Sequence, residues 1–580
     1  VKQENKKRQS RLEHFRALYE NAALAYSDTL AALDRHMRQY KGSSEIDGST
    51  ENASTVRNIT YEIIESQVSS DIPQPKVDAI SYSEQRERLA TATEQLCRAL
   101  RNRLPFERMN DLDERYTYIY GGSVFYVEWD NSSSLGGEIG SVRVHCISPR
   151  DFIPQPNVYT VEDMEYCFMR FTTTRSELMR KYGVKEEDTL LAECDYESDG
   201  VDLSDTVAVT VAFYKDEDGK VGQFVFSGDL TLSDLEDYYA RRIRACEICG
   251  REETLCSCDR PRFKLKKQTE ELISCQEAPH GVRRIPYYTP KRIPIVIRKN
   301  TSSEKNLYGQ SDCEYIRPEQ QAINKIESRI LQKLLRAGIT PIVPEDASIS
   351  LNNTVFGQVI KMKPGESMAQ YGKVDTTPDI AQDIAEAERL YDHAKRTLGI
   401  SDAFQGISES ANESGYARQL RISQASGRLE SKKKMKHAAY SEIDRLIFEH
   451  YLAFADEPRN LTYKDAFGRI HNSSFNRYDF IRFDALSGEY IYDDGYLFAS
   501  DLGAGAEYQR EALWQRNLEN LKSGTLGDPS DPATLIRYWQ CQERAHYPYA
   551  RENVEYFLEL TKNYAETEEL YGNVGNRFDI

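Results

Sequence analysis

SGYARQLRISQASGRLESKKKMKHAAYSEIDRLIFEHYLAFA, residues 414–455, is the stretch on which the reading of the chain turns. It holds no proline. Ile422, Ala425, Leu429, Ala439, Ile443, Leu446, Ile447, Tyr451 and Phe454 fall on one stripe at helical spacing. A helix of this length runs roughly 60 Å at ~1.5 Å per residue, longer than one small domain buries. Gly427 sits inside it and invites a kink. Lys432 and Lys436 occupy the apolar stripe where a core helix carries leucine. Either these lysines snorkel to water, or the middle turns cross a polar or subunit boundary.

Working outward, residues 318–337 and 377–398 read as two more amphipathic helices. Ile323, Ile326, Ile330 and Leu334 line the first; Ile380, Ile384, Ala387, Leu390 and Leu398 line the second. Pro318 is expected to open the first, after a separate short helix begun by the capping pattern Ser311 to Glu314, and Gly338 to close it. Thr377, Pro378 and Gly399 punctuate the second. Residues 339–376 between them are short β-like runs. Together they form an arm whose apolar stripes have no core of their own.

Upstream, residues 3–40, 56–69 and 83–103 read as helices. Residues 116–129 and 141–147 read as strands around a turn at 132–140. Strands at 164–171, 206–214 and 222–227 follow, interrupted by helices at 174–182 and 233–242, and residues 286–299 give a further strand. Downstream, 460–498 is strand-rich, and 504–521, 531–544 and 550–566 read as helices. The fold class is α+β, mostly helical.

Hydrophobic residues at 39% and charged residues at 29% describe a hydrated globular surface. No apolar run approaches the roughly 18 residues that span a bilayer, so no membrane role is expected. No leader stands at the start, and Val1 in place of methionine leads us to expect a missing leading segment. A net charge of −18 disfavours a protein that grips duplex DNA, though not one past which DNA slides. No phosphate-binding G-x-x-x-x-G-K-[ST] loop, H-E-x-x-H or G-x-S-x-G occurs, so no enzyme activity is expected.

ACEICGREETLCSCDRPRF, residues 245–263, is the exception to this chemical silence. Cys246, Cys249, Cys256 and Cys258 can place four thiolates around one tetrahedral zinc if the intervening residues turn as a hairpin. Cys275 or His280 could replace Cys258. Four thiolates leave no open position, so the zinc would be structural. The plainer alternatives are a small core of reduced thiols or a disulfide. The scatter of the other seven of eleven cysteines argues for synthesis in a reducing cytoplasm.

The order YTPKRIPIVIRKN (288–300), LYGQSDCEYIRPEQQAINKIESRI (307–330), helix–tip–helix arm, then SESANESGYARQLRISQASGRLESKKK (408–434) resembles the tailed-bacteriophage portal proteins. DIPQPKVD (71–78) and HCISPRDFIPQP (145–156) add to the resemblance. It implies a head-tail connector: a ring, typically of twelve subunits, at one capsid vertex of the virion, made in the host cytoplasm. Double-stranded DNA would be packaged and ejected through its channel. It further implies N-terminal helices and a wing over 1–310, with the cysteine-rich insertion at 244–265. Stem helices would lie at 311–338 and 377–399, a clip at 339–376 and a tunnel loop at 400–413. A long wing helix at 414–456, a β-rich return at 457–500 and a helical crown at 501–580 complete it. Ser401, Gln405, Ser408, Glu409, Ser410 and Asn412 would face DNA. The clip would meet the terminase large subunit and later the head-completion or adaptor proteins, and the major capsid protein would surround the ring. The alternatives are a zinc-containing nucleic-acid-binding protein, or a capsid or baseplate component without a channel.

Overall fold

The computed structural model describes residues 2–43, 56–81, 83–135, 138–193, 205–249, 258, 262–268, 270–274, 282–336, 339–342, 372–375, 379–400, 427–464, 470–484, 488–501 and 514–544, with isolated positions from 547 to 560. It is an α+β fold. Its helices include, in chain order, α1 (Lys2–Ala25), α2 (Ser27–Tyr40), α3 (Ile59–Glu65), α4 (Glu84–Arg103), α5 (Phe106–Tyr120), α6 (Arg175–Tyr182), α7 (Asp312–Arg336), α8 (Ala381–Leu398), α9 (Gly427–Phe454) and α10 (Pro532–Arg544); residues 514–522 are also helical.

Helix α9 is the axis of the body. From Ala439 to Ala455 it is buried among α4, α5 and two strand layers, with Ile443, Leu446, Ile447, Phe448 and Leu452 each at most 2% exposed. Each such side chain contributes about 1.5–3 kcal/mol of burial free energy, so this half of the helix is held by packing. Its other half is held differently, as shown below.

Two antiparallel sheets flank this core. One orders Ile295–Lys299, Gly122–Leu135 and Glu138–Ile147; the other orders Phe152–Pro154, Tyr166–Thr174, Thr206–Lys215, Val221–Ser227 and Leu230–Leu235. The strand Thr206–Lys215 shows why both faces of the larger sheet are covered. Its Val207, Val209, Val211 and Phe213 face the smaller sheet, where Val124 and Tyr126 meet them. Ala212 faces the other way, with Phe168, Phe224 and Phe226, and α1 covers that side with Leu12, Phe15 and Ala22. The period of two makes both faces apolar. Far ends of the chain meet where Gln74–Ala79 pairs antiparallel with Tyr496–Asp501.

Among the expected caps Gly399 holds, while Gly338, Thr377 and Pro378 lie outside the described residues. The Ser83 and Thr174 side chains accept N–H groups at the starts of α4 and α6, and Gly399 ends α8 in a left-handed conformation. Four expectations change. Residues 116–120 are the end of helix α5, not a strand; RYTYIY is rich in β formers, but burial on several sides favours the helix, and Gly121 (φ +92°) stops it. Residues 233–242 hold strand ends rather than a helix: Leu230–Leu235 pairs with Val221–Ser227, and Arg241–Cys246 with Phe263–Gln268. Helix α3 is only Ile59–Glu65. The two helices expected around Pro318 run as one, α7, with Pro318 inside. Its start is fixed by Ser311, whose hydroxyl accepts the Cys313 N–H and donates to the Ile119 carbonyl.

Candidate functional site

Three places bear on function: the root of the arm, the arm itself and the cysteine cluster.

At the root, α9 crosses α5 and the first turn of α7. Lys432 and Lys436 do not snorkel; both are under 10% exposed. Lys432 Nζ donates to Asp312 Oδ2 at 2.7 Å and to Gln67 Oε1 at 3.2 Å, and lies 5.0 Å from the Tyr118 ring centre. Lys436 Nζ meets Glu114 Oε1 at 3.0 Å and the Asp71 carbonyl at 2.5 Å. Arg298, 1% exposed, donates to Asp113 Oδ2 at 2.5 Å and to Glu114 Oε1 at 2.8 Å. Asn300 and Ser123 donate to Asp312 and Asp113, and the Ser69 N–H to Glu114. Three cations thus face three carboxylates, with neutral donors filling remaining lone pairs.

Burial alone would push the Glu114 carboxyl up, but Arg298, Lys436 and the Ser69 N–H hold it below the ordinary value. Burial pushes Lys436 down against the pull of Glu114. Two turns further on, Asp444 pairs with Arg101 of α4 at 2.6 Å, again buried. The lysines stood out in the sequence; their acidic partners, dispersed among ninety-three acidic residues, did not.

The arm leaves from this root. Helices α7 and α8 lie side by side, joined through a strand pair, Ile339–Ile342 with Gly372–Asp375. Near the root, Ile59 and Ile63 of α3 pack on Ile316, Ile323, Tyr391, Ala394 and Leu398. Arg57 adds an ion pair to Glu388, and α2 joins α7 through His36 and Glu314. Toward the tip, Asp383 of α8 takes Arg329 and Lys333 of α7. There the apolar stripe is uncovered: Leu334 is 49% and Ile384 47% exposed. The expected DNA-facing residues Ser401, Gln405, Ser408, Glu409, Ser410 and Asn412 lie outside the described residues.

Cys246 ends the strand Arg241–Cys246, opposite Phe263, and the Glu247 N–H bonds the Arg262 carbonyl just beyond. This two-stranded ribbon brings together Cys246 (buried), Cys249 (exposed) and Cys258 (half-buried), with sulfurs within 4.8 Å of one another. Thiolates on a tetrahedral zinc with ~2.3 Å bonds stand about 3.8 Å apart, so the group fits one metal ion with little movement. Cys256 lies outside the described residues. The ribbon's base is tied to the body: Arg241 pairs with Asp456 just past α9, which also pairs with fully buried Arg477.

A family model described as phage P22-like portal protein matches residues 71–452, well over half of the 580-residue chain. The match spans the ionic root, the arm, the cysteine ribbon and nearly all of α9. No curated protein matches the chain. No helix among the described residues is long and apolar enough to cross a membrane.

One prediction concerns the root. The stability that Glu114 contributes is present above its unfolded pKa of about 4.3 and is lost as pH falls through the depressed folded value. Glu114→Gln takes away the one carboxylate of Lys436 and leaves Arg298 with Asp113 alone, and should lower stability at pH 7 by about 3–5 kcal/mol. It should also flatten the fall in stability as pH drops below about 5. Urea unfolding across pH checks both; an unchanged acid slope contradicts the role.

Proposed function

The chain belongs to the phage P22-like portal protein family, and from that premise we propose that twelve copies form a ring at one capsid vertex, around a channel through which double-stranded DNA is packaged and ejected. The observation that carries the ring is the arm. Its stripe is covered by α3 near the root but open at Leu334 and Ile384, where neighbouring copies would bury it. A net charge of −18 suits a channel lining that must let DNA slide. The role is structural rather than enzymatic.

In this reading α7 and α8 are the stem and residues 339–376 the clip, which meets the terminase large subunit and later the adaptor proteins. Residues 400–413 form the tunnel loop, with Ser401, Gln405, Ser408, Glu409, Ser410 and Asn412 toward DNA. Helix α9 with 457–500 belongs to the wing, as do the sheets before residue 310. Residues 501–580 form the crown inside the head. The major capsid protein surrounds the ring. Cys256 joins Cys246, Cys249 and Cys258 around a structural zinc, which orders a ribbon too short to have its own core.

Mass photometry is expected to show a species near twelve times 66.7 kDa, with a central hole in negative-stain images. A stable monomer at micromolar concentration would contradict the ring. Elemental analysis should find about one zinc per chain. Cys249→Ser should release it and expose residues 244–263 to protease while leaving the ring intact. Protein never exposed to chelator that holds well under half an equivalent would return these cysteines to ordinary thiols.

A further inference from the structure

A cavity of about 120 Å³ lies where the last turns of α2 meet α7, at the root of the arm. Arg35 and Arg38, one turn apart on α2, line it together with Arg317 of α7. No carboxylate is among the described residues that line it, in a chain whose net charge is −18. Arg35 makes no ion pair among the described residues. Arg317 meets only Glu314 Oε1, at 3.5 Å, and the other oxygen of that carboxylate takes His36. Burial pushes the Glu314 carboxyl up, yet His36, Arg317 and Arg35 hold it below its ordinary value. The arginines therefore leave a positive field at this corner of the fold.

The polar wall beside them is set by a chain of hydrogen bonds. The Thr60 N–H and hydroxyl both donate to Gln320 Oε1, at 3.0 and 2.9 Å. The Gln320 NH2 group must then face the other way, and it donates to the Arg57 carbonyl at 2.7 Å and to Asn324 Oδ1 at 2.9 Å. Gln320 is 4% exposed, so water does not compete for these bonds. With its oxygen accepting from Gln320, Asn324 has its NH2 group left to donate on the cavity wall. Two further bonds hold α2 in place: Gln39 Nε2 donates to the Cys313 carbonyl at 3.1 Å and to Thr60 Oγ at 3.0 Å. The donors are thus gathered before any ligand arrives, which lowers the cost of binding.

Three guanidinium groups and an amide donor, with no opposing charge on the wall, call for an oxyanion. The cavity is well below the roughly 300 Å³ of sites that enclose larger ligands, so it admits one tetrahedral group and no base or sugar. A carboxylate offers two oxygens. A phosphate group offers three or four, and guanidinium forks engage them in pairs.

We propose that this cavity binds one phosphate group, held by Arg35, Arg38 and Arg317 with the Asn324 amide, which bridges α2 to α7. The phosphate is the free ion or a unit of a nucleic-acid backbone, and the chemistry of the site is the same for both. The site is complete within one copy, so it stands or falls apart from the ring.

Equilibrium dialysis of the full chain against labelled inorganic phosphate, with ionic strength held constant by KCl, should find one saturable site per chain. Arg35→Gln with Arg317→Gln should weaken it at least about tenfold. Asn324→Asp still accepts the bond from Gln320 but puts a carboxylate where the donor stood, and should weaken binding as much. Lys41→Gln removes a nearby charge that does not line the cavity, and should change binding less than about twofold. Circular dichroism checks that each variant is folded. A short DNA duplex in excess displaces the label if a backbone phosphate fits the site, and leaves it in place if only the free ion does; the site stands in both cases. No saturable binding overturns the proposal, as does binding that survives Asn324→Asp or falls equally with Lys41→Gln.

Discussion

Charges taken out of water must be matched within the protein, and at the crossing of α5, α7 and α9 three cations meet three carboxylates. Arg298, Lys432 and Lys436 answer Asp113, Glu114 and Asp312. Removing any one of them leaves the node with one uncompensated buried charge, which costs about 3–5 kcal/mol. An apolar contact tolerates a small slide; this arrangement does not. Slipping α9 by one turn, about 5.4 Å, would bring Lys436 toward Asp312 and leave Glu114 and Arg298 unbalanced. The node therefore fixes the register of α9, and because Asp312 is the first residue of α7, it fixes where the arm departs.

That placement makes sense of a helix with two kinds of environment. The half beyond Ala439 is embedded in aromatic and aliphatic side chains, including Phe448 against Phe475, Phe480 and Phe498. The half before it is polar and largely exposed, with Lys432 and Lys436 turned into the buried node. Arg101 with Asp444 lies on the apolar side of the boundary and Arg477 with Asp456 closes the far end. The long helix is pinned by ion pairs at several points along its length.

What could be read beforehand was whatever repeats at short range. The stripe of α9, the paired helices of the arm, the glycine and serine caps and the cysteine spacing are local patterns, and they place most of the architecture. Residues 116–120 and 233–242 misled because composition alone does not separate a buried helix from a strand. The ionic node escaped for another reason. Asp113, Arg298 and Lys436 lie more than a hundred positions apart from one another, and only the fold shows which acids answer which bases. Lys432 and Lys436 were visible as anomalies on an apolar stripe, and that anomaly marked the site. The candidate metal cluster was legible as a spacing, since two close pairs of cysteines need only a hairpin to meet.

The claim on which the rest depends is that Lys432 and Asp312 act as one unit joining α9 to the arm. A double-mutant cycle measures it: Lys432→Met, Asp312→Asn and the pair together, each followed by urea unfolding at one protein concentration. The account predicts a coupling of about 2 kcal/mol or more, the double variant losing far less than the two single losses combined. Single losses that simply add would contradict it.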